Sequence, residues 1–140
     1  MTVAFVLDSS VALTWCFRDE ATKATTELLN RLETDGALVP TWWFLEVANV
    51  LTISERRRRI TQSETGAFIN DLRKLDLQVD DRGSHSRAFH ELVWLARDHA
   101  LTIYDAVYLD LALRKSLPFA TLDDDLRQAA AKLGVELLGS

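Results

Sequence analysis

The sequence contains few of the residues that cross-link, break or disorder a chain. Among its 140 residues there are one cysteine, two prolines and five glycines. A single cysteine cannot form a disulfide within its own chain, which is typical of a reducing compartment, so we expect a cytoplasmic protein. With 48% hydrophobic residues and little proline or glycine, the composition excludes a disordered or fibrous protein. It predicts one globular domain over residues 1–140.

Long apolar runs and an excess of positive charge are also missing. No apolar run approaches the about 20 residues that a membrane helix needs. The apolar run at residues 3–7 ends at Asp8 with no basic residue before it, which is not the pattern of a signal peptide. The formal net charge is −5. Bulk positive charge therefore cannot hold a nucleic acid here, and any such contact needs a local basic patch or bound cations.

Short strand-forming runs alternate with longer helical patterns along the chain. Strands are predicted at residues 3–7, 37–40, 75–79, 118–121 and 135–138. Helices are predicted near residues 10–17, 20–34, 42–58, 62–74, 85–99, 104–115 and 124–133. Gly134 follows the last of these helices, where a glycine typically ends a helix. Strands separated by helices predict an α/β fold, with a central, mainly parallel sheet of five strands and helices on both faces.

Acidic residues follow the predicted strands in a regular way. Asp8 ends the first strand, Glu46 lies in the first turns of the helix after the second strand, and Asp123 follows the fourth strand. Strand ends and the starts of the following helices share the carboxyl edge of an open parallel sheet, where ligands bind. Asp105 opens helix 104–115 and reaches the same edge if that helix runs antiparallel to the fourth strand. The sequence leaves this last step open, because another predicted helix intervenes.

Carboxylates that meet in space repel one another, and burying one without a partner is costly. The repulsion is relieved either by raised pKa values, which keep some acids protonated, or by a divalent cation. Ligands that are all oxygen select hard cations, so Mg²⁺ or Mn²⁺ is the expected occupant. Such a site suits the hydrolysis of a phosphodiester bond, in which the metal polarises the phosphate and activates water.

Each of the four acids also has a purely structural interpretation, which is weakest for Glu46 because its helical stripe is expected to face the interior. Asp105 lies three residues after Thr102, so the two residues could form a capping box. Asp123 could cap the last helix, and Asp8 could cap a helix that starts near Ser10. The joint occurrence of the acids, and not any one of them, therefore favours a functional site.

Four short motifs occur in a distinctive order: Val-Leu-Asp-Ser-Ser at 6–10, Phe-Leu-Glu-Val-Ala-Asn-Val-Leu at 44–51, Tyr-Asp-Ala-Val-Tyr-Leu at 104–109 and Ala-Thr-Leu-Asp at 120–123. In these residues the chain resembles the PIN domain. More closely, it resembles the VapC-type toxin ribonucleases of bacterial and archaeal toxin–antitoxin pairs. The resemblance covers essentially the whole chain, and it implies a three-layer α/β/α fold.

The resemblance also implies which residues form the site. The positions that match the family's metal ligands for Mg²⁺ or Mn²⁺ are Asp8, Glu46, Asp105 and Asp123. The positions that match supporting residues are Ser10, Asn49 and Thr121. A shift of one residue would make Asp124 the last ligand, but the Thr-x-Asp spacing favours Asp123.

The activity implied by the resemblance is that of an endoribonuclease directed at single-stranded RNA, with tRNA or rRNA as common targets. The implied partner is a small VapB-like antitoxin that blocks the active site, and the implied assembly is a homodimer. A PIN-like RNA-processing enzyme without a toxin role is the first alternative. A non-catalytic PIN-like binding module is disfavoured because all four acids are present.

A doubly wound phosphotransfer or phosphatase domain built around Asp8 is a further alternative. A haloacid-dehalogenase-like phosphatase would need a second acid two residues after the first, where this sequence has Ser10. A response-regulator receiver would need an acidic pair before its phosphoacceptor and a lysine near a late strand. Here the N-terminal strand carries only Asp8, and no lysine directly follows the fourth strand.

Two other features could contact RNA or a protein partner. The predicted helix 42–58 closes on Arg56, Arg57, Arg58 and Arg59. These cations could form a solvated helix end that complements the helix dipole, or they could bind phosphate or a partner. This end of the helix is expected to point away from the carboxyl edge of the sheet. Trp42 and Trp43 are adjacent and cannot share one helix face. We expect one of them in the core and the other at a dimer or antitoxin interface.

Overall fold

A computed structural model describes residues 3–81 and 84–140 of the chain. The strands are β1 (Phe5–Leu7), β2 (Ala37–Pro40), β3 (Leu77–Asp80), β4 (Phe119–Ala120) and β5 (Leu137–Leu138). The helices are α1 (Ser9–Thr14), α2 (Lys23–Asp35), α3 (Trp43–Arg56), α4 (Gln62–Arg73), α5 (Ser84–Arg87), α6 (Val93–His99), α7 (Ile103–Lys115) and α8 (Asp124–Lys132). In the described residues, none of the helices is long and apolar enough to cross a membrane.

The five strands form one sheet in the order β3-β2-β1-β4-β5, and every neighbouring pair is parallel. The predicted α/β class and its parallel sheet are therefore confirmed. The chain moves outward from β1 to β2 and β3, and then returns to the other side of β1 to add β4 and β5. The strand order thus reverses between β1 and β4. In open parallel sheets, the crevice outside the carboxyl ends of two such strands is where ligands bind.

The strand at the centre of the sheet is wholly buried. All three residues of β1 lie in the core, and the register places Val6 opposite Leu38 of β2 and Phe119 of β4. Helices cover the sheet as an α/β/α arrangement requires: α1 packs on α3, whereas α7 packs on β1, β2, α6 and α8. A continuous parallel-sheet core of this kind fixes the edge at which Asp8 emerges.

Several predicted elements are shorter in the structure because helix ends take up residues assigned to strands. The last predicted strand began at residue 135, but Val135 N–H donates to Ala130 O at 2.9 Å and Gly134 N–H to Ala131 O at 3.2 Å. With Gly134 at φ +75°, these bonds close the end of α8 in a Schellman motif, so β5 starts only at Leu137. The predicted helix end at Gly134 is correct.

The helix predicted at residues 85–99 is not continuous. Helix α5 ends at Arg87, a π-helical turn follows over Ala88–Leu92, and α6 begins at Val93. A π turn adds one residue to a helical turn, and its wider ring cannot be read from an apolar periodicity. The predicted helix 42–58 is also too long, because α3 ends at Arg56 and Arg58 takes a left-handed conformation with φ 58°.

Candidate metal centre

Asp8 leaves the carboxyl end of β1 and is buried. Its backbone N–H donates to Ala120 O of β4 at 2.9 Å, so Asp8 lies at the point where the strand order reverses. Its side chain does not cap α1, and the structural interpretation of this residue as a helix cap is therefore wrong. Instead, the Oδ2 atom accepts hydrogen bonds from Ser10 Oγ at 2.8 Å and from Thr121 Oγ1 at 2.7 Å.

Thr121 connects the ends of β1 and β4. Its hydroxyl group is fully buried, donates to Asp8 and accepts from the backbone N–H of Asp123 at 3.1 Å. Ser10 makes a similar bridge, because its Oγ accepts from Leu122 N–H at 3.1 Å while it donates to Asp8. The two supporting residues that the sequence pointed to beside these acids thus hold Asp8 and the start of the β4–α8 connection together.

Asp123 is the N-cap residue of α8. Its Oδ1 atom accepts a hydrogen bond from Leu126 N–H at 2.9 Å, so the capping interpretation of this acid is structurally correct. A cap uses one oxygen of the carboxylate, and Asp123 still acts electrostatically on two other acids, raising the pKa of Asp8 and of Asp105. Asp124 lies one residue further along, in the first turn of α8, and is exposed. The geometry therefore favours Asp123 over Asp124.

Glu46 lies in the first turn of α3 and is half-buried. Its Oε1 atom accepts a hydrogen bond from the phenolic O–H of Tyr108 on α7. Burial raises the pKa of Glu46 above its ordinary value of 4.5, and the negative charges of Asp8 and Asp105 raise it further, whereas the Tyr108 bond lowers it. Glu46 therefore lies near Asp8 and Asp105, as predicted from its place after β2. The cluster of Asp8, Glu46, Asp105 and Asp123 is called the acidic group below.

Asp105 lies in the first turn of α7, where Thr102 caps the helix by accepting from Asp105 N–H at 3.1 Å. Burial raises the pKa of Asp105 above its ordinary value of 3.8, and the charges of Asp123 and Asp8 add to the rise. Since these charges reach Asp105, the start of α7 lies at the carboxyl edge of the sheet. The geometric step that the sequence left open is therefore resolved in favour of the cluster.

Each of the four acids lies within electrostatic reach of at least one other acid of the group. In residues 3–81 and 84–140, none of them forms a salt bridge with lysine, arginine or histidine. Burial is the largest cause of the raised pKa of Asp8, followed by the opposing Thr121 and Ser10 hydrogen bonds and the repulsion from Asp123. Like charges without a counter-charge are the arrangement that a divalent cation stabilises.

Three of the acids are each anchored through one oxygen. Hydrogen bonds hold Oδ2 of Asp8, Oδ1 of Asp123 and Oε1 of Glu46. Further contacts at these carboxylates come from Ser9, whose Oγ lies 3.5 Å from Asp8 Oδ1 and which also lowers the pKa of Glu46. A carboxylate fixed at one oxygen presents the other to a hard cation.

Within the same described ranges, no three His, Cys, Asp or Glu side chains lie together in an arrangement that would already hold a metal ion. The acids fit Mg²⁺ or Mn²⁺ through the chemistry and charge of their oxygens, and not through a finished coordination shell.

Comparison with protein families decides the assignment. The PIN domain model matches residues 5–132, which is most of the chain. The chain belongs to the PIN domain family. PIN domains are in general nucleases that depend on divalent metal ions, which supports, at a coarse level, a hydrolase with a nuclease-like fold and a divalent cation at the acidic group.

A solved structure is consistent with this family. The chain is similar to PAE2754 from Pyrobaculum aerophilum, with a TM-score of 0.70 and 19% sequence identity over 92% of this chain and 87% of that chain. At this identity the likeness shows the fold alone. Comparison with curated proteins gives no significant match.

The structure places one of the two adjacent tryptophans at the start of α3 in the core, as the sequence predicted, but the other is not fully exposed. Trp43 enters the core of this PIN domain and is 1% exposed. Trp42 is half-buried and not fully outward, because its ring packs edge-on against Tyr104 with 6.1 Å between centroids. The exposed apolar side chains of this turn are instead Phe44 and Leu45, at 45% and 71%. An RNA or partner contact for Trp42 and Trp43 stays a prediction.

The four arginines at and after the end of α3 have different surroundings. Arg56, Arg57 and Arg58 are exposed at the end of α3, as a solvated helix end requires. Arg59 is held by ion pairs to Asp19 and Glu20, each at 3.2 Å, and its guanidinium lies 3.9 Å from the centre of the Phe17 ring. Arg59 thus secures the connection between α1 and α2. A phosphate or partner contact for the four arginines stays a prediction.

The surroundings of Asn49 and Tyr108 differ most from those that the sequence predicted. Asn49 lies one turn after Glu46 but is exposed, and its side chain makes no hydrogen bond to any described residue. Sequence reasoning placed Tyr108 in an apolar stripe and missed its bond to Glu46. The available signal is the residue type, because a tyrosine in a buried stripe needs a partner for its O–H.

Proposed function

We propose that this PIN domain is an Mg²⁺- or Mn²⁺-dependent endoribonuclease, with tRNA or rRNA as its substrate, and the toxin of a VapBC-type toxin–antitoxin pair. The observation that supports it best is the position of Asp8. It is buried where the strand order reverses. The charge of Asp123 raises the pKa of Asp8, and the charge of Asp8 raises the pKa values of Glu46 and Asp105.

The proposed reaction divides the work between the ion and the chain. The residues that would hold the ion are Asp8, Glu46, Asp105 and Asp123. When bound, the ion supplies Lewis-acid polarisation of the phosphate and lowers the pKa of the attacking water. Ser10 and Thr121 orient Asp8 by donating to its Oδ2 atom, and Leu126 N–H orients Asp123 through Oδ1. The buried positions of Thr121 and Leu126 keep the carboxylates in place without reorganisation.

Nuclease activity is tested with the purified chain and single-stranded RNA. We expect cleavage with Mg²⁺ or Mn²⁺, its loss with EDTA, and its return when the metal is added back. Asp8→Asn should abolish cleavage while keeping the fold. Asp35→Asn is the matched control, because Asp35 is exposed and ends α2 just before β2, at the opposite edge of the sheet. Wild-type cleavage rates in Asp8→Asn, or hydrolysis that resists EDTA, would contradict the proposal.

The toxin role is tested in cells. Exposed Phe44 and Leu45 lie in the same turn of α3 as Glu46, and an apolar rim beside an active site suits a protein that covers it. We expect expression to arrest growth, Asp8→Asn to be harmless, and the product of the neighbouring antitoxin gene to relieve the arrest. A chain that cleaves RNA without arresting growth would instead be an RNA-processing PIN enzyme.

The proposed assembly is a homodimer that binds the antitoxin. Light scattering of the purified chain is expected to give the mass of two copies, and a complex with the antitoxin is expected to lose nuclease activity. A chain that remains a monomer at all concentrations would contradict the dimer, and an antitoxin complex that still cleaves RNA would contradict the covered site.

A further inference from the structure

Tyr108 connects three elements of the fold at the acidic group. It lies on α7 one turn after Asp105 and is fully buried. Its ring stacks on Phe119 of β4, with 6.0 Å between centroids and 18° between planes. Its O–H donates to Oε1 of Glu46, which comes from α3. A single side chain therefore links the helix of one acid to the helix of another and to the strand beside Asp8.

We propose that Tyr108 is a positioning residue that fixes the Glu46 carboxylate for a divalent cation. This inference rests on the proposed nuclease function and deepens it. It concerns the hydrogen bond and not the protonation of either group.

Glu46 needs an anchor because its own charge and flexibility act against the observed position. A glutamate side chain has several rotatable bonds, and fixing it costs conformational entropy. Glu46 is also only half-buried and repelled by Asp8 and Asp105, so solvent is the more favourable direction for its carboxylate. A hydrogen bond to a charged acceptor is stronger than one between neutral groups, and the Tyr108 bond holds one of the two oxygens, Oε1.

The donor itself is fixed. The Tyr108 ring is enclosed by the core and stacked on Phe119, so the O–H cannot follow Glu46 if the carboxylate moves. A purely structural role would require only that the buried O–H find some acceptor. The two roles differ in one measurable property, which is the affinity of the site for a metal ion.

The experiment measures Mn²⁺ binding by calorimetry, which is independent of RNA cleavage. Tyr108→Phe keeps the stacked ring and removes the O–H. Because Glu46 then loses its anchor, we expect Mn²⁺ affinity to fall on the order of tenfold, which corresponds to about 1.4 kcal/mol. Tyr104→Phe is the matched control, because it removes the only other phenol of the chain, on the same helix and exposed, and should leave affinity unchanged.

A double-mutant cycle with Glu46→Gln separates an effect through Glu46 from a general one. We expect Tyr108→Phe to weaken Mn²⁺ binding in the wild-type background and to have no further effect in Glu46→Gln. An equal loss in both backgrounds would overturn the inference, as would unchanged or tighter binding in Tyr108→Phe alone. If the wild type takes up no Mn²⁺, the proposed function fails together with the inference.

A second measurement covers the case in which Tyr108→Phe does not fold. A crystal structure of the wild type with Mn²⁺ should keep the bond from Tyr108 to Glu46 Oε1, with Oε2 facing the ion. A Mn²⁺ complex in which Glu46 has left Tyr108 would overturn the inference while leaving the nuclease function standing.

Discussion

At the scale of single residues, the hydroxyl group of Thr121 links acids from the two ends of the chain. It donates to Asp8, 113 residues away in sequence, and accepts from the backbone of Asp123. Because it is fully buried, no water replaces either bond if the hydroxyl is removed. The orientation of Asp8 and the geometry of the β4–α8 connection therefore depend on the same oxygen atom.

Thr121→Val keeps the shape of the side chain and removes both bonds. We expect the free energy of unfolding to fall by about 1–3 kcal/mol, because a buried polar group loses its partner, and metal-dependent cleavage to fall with it. Urea unfolding of the metal-free protein measures the first effect. Thr52→Val is the control, since its exposed hydroxyl bonds only to Asn49 O of its own helix. A Thr121→Val variant as stable as the wild type would contradict this view of the bond.

The positions of Asp8, Thr121 and Asp123 were predictable because they follow from local sequence. Each lies at the end of a buried strand, and parallel strands deliver their ends to one edge. The contact of Tyr108 with Glu46 was not predictable in this way, because it joins residues 62 positions apart on two helices. Helical periodicity shows that a residue faces the interior, but not which polar atom it meets there.

At the scale of elements, α7 is held by a network of ion pairs outside the acidic group. Asp110 is buried and accepts from Arg87 at 2.8 and 3.0 Å and from Arg114 Nε at 3.0 Å. Arg114 also donates to Asp80 at the end of β3, at 2.7 Å. The helix that carries Asp105 and Tyr108 is thus tied both to the segment before the π turn and to the edge of the sheet.

Asp110→Asn tests this network. Removing one charge of a buried ion pair destabilises a protein by about 3–5 kcal/mol. Both arginines retain partial contact with solvent, so we expect a smaller loss, about 2 kcal/mol, in urea unfolding. Asp71→Asn, at an exposed position on α4, is the control and should change little. Equal stability of the two variants would mean that the network adds nothing to the fold.

The interrupted helix before α7 shows where element prediction stops. The apolar pattern over residues 85–99 is that of one helix, yet Arg87 is drawn to Asp110 and a π turn follows it. The partners in this network lie 23 and 34 residues apart in sequence. Because these pairings join residues that are distant in sequence, the local pattern contains no information about them.

At the scale of the whole molecule, the grouped acids make stability depend on pH in an unusual direction. The pKa values of Asp8, Glu46 and Asp105 are raised in the fold, with burial as the largest cause in each case. The folded state therefore binds these protons more tightly than the unfolded state does. Their contribution favours the fold at low pH and is lost as pH rises from the ordinary values, 3.8 for Asp and 4.5 for Glu, through the raised ones.

The comparison of wild type with Asp8→Asn isolates this effect in the metal-free protein. We expect the stability advantage of Asp8→Asn to grow as pH rises through that window, because the variant lacks the charge that burial and Asp123 oppose. Thermal melts at a series of pH values give the difference. An advantage that is constant with pH would show that Asp8 titrates equally in both states.

A bound divalent metal ion should offset the loss of stability that the ionised acids cause. With Mn²⁺ at 100 times its dissociation constant, binding to the folded state alone adds about 2.7 kcal/mol of stability. We expect the melting temperature of the wild type at neutral pH to rise with Mn²⁺ and that of Asp8→Asn to respond little. An equal rise in both would place the bound ion elsewhere on the molecule.

The reversal of strand order between β1 and β4 also has a consequence during protein synthesis. Residue 8 leaves the ribosome well before the strand that flanks it, which spans Phe119–Ala120. A nascent chain that lacks this strand has neither the Thr121 bond nor Asp123 beside Asp8. The acidic group would therefore be incomplete on a nascent chain, and the site would become competent only after β4 and Asp123 have emerged.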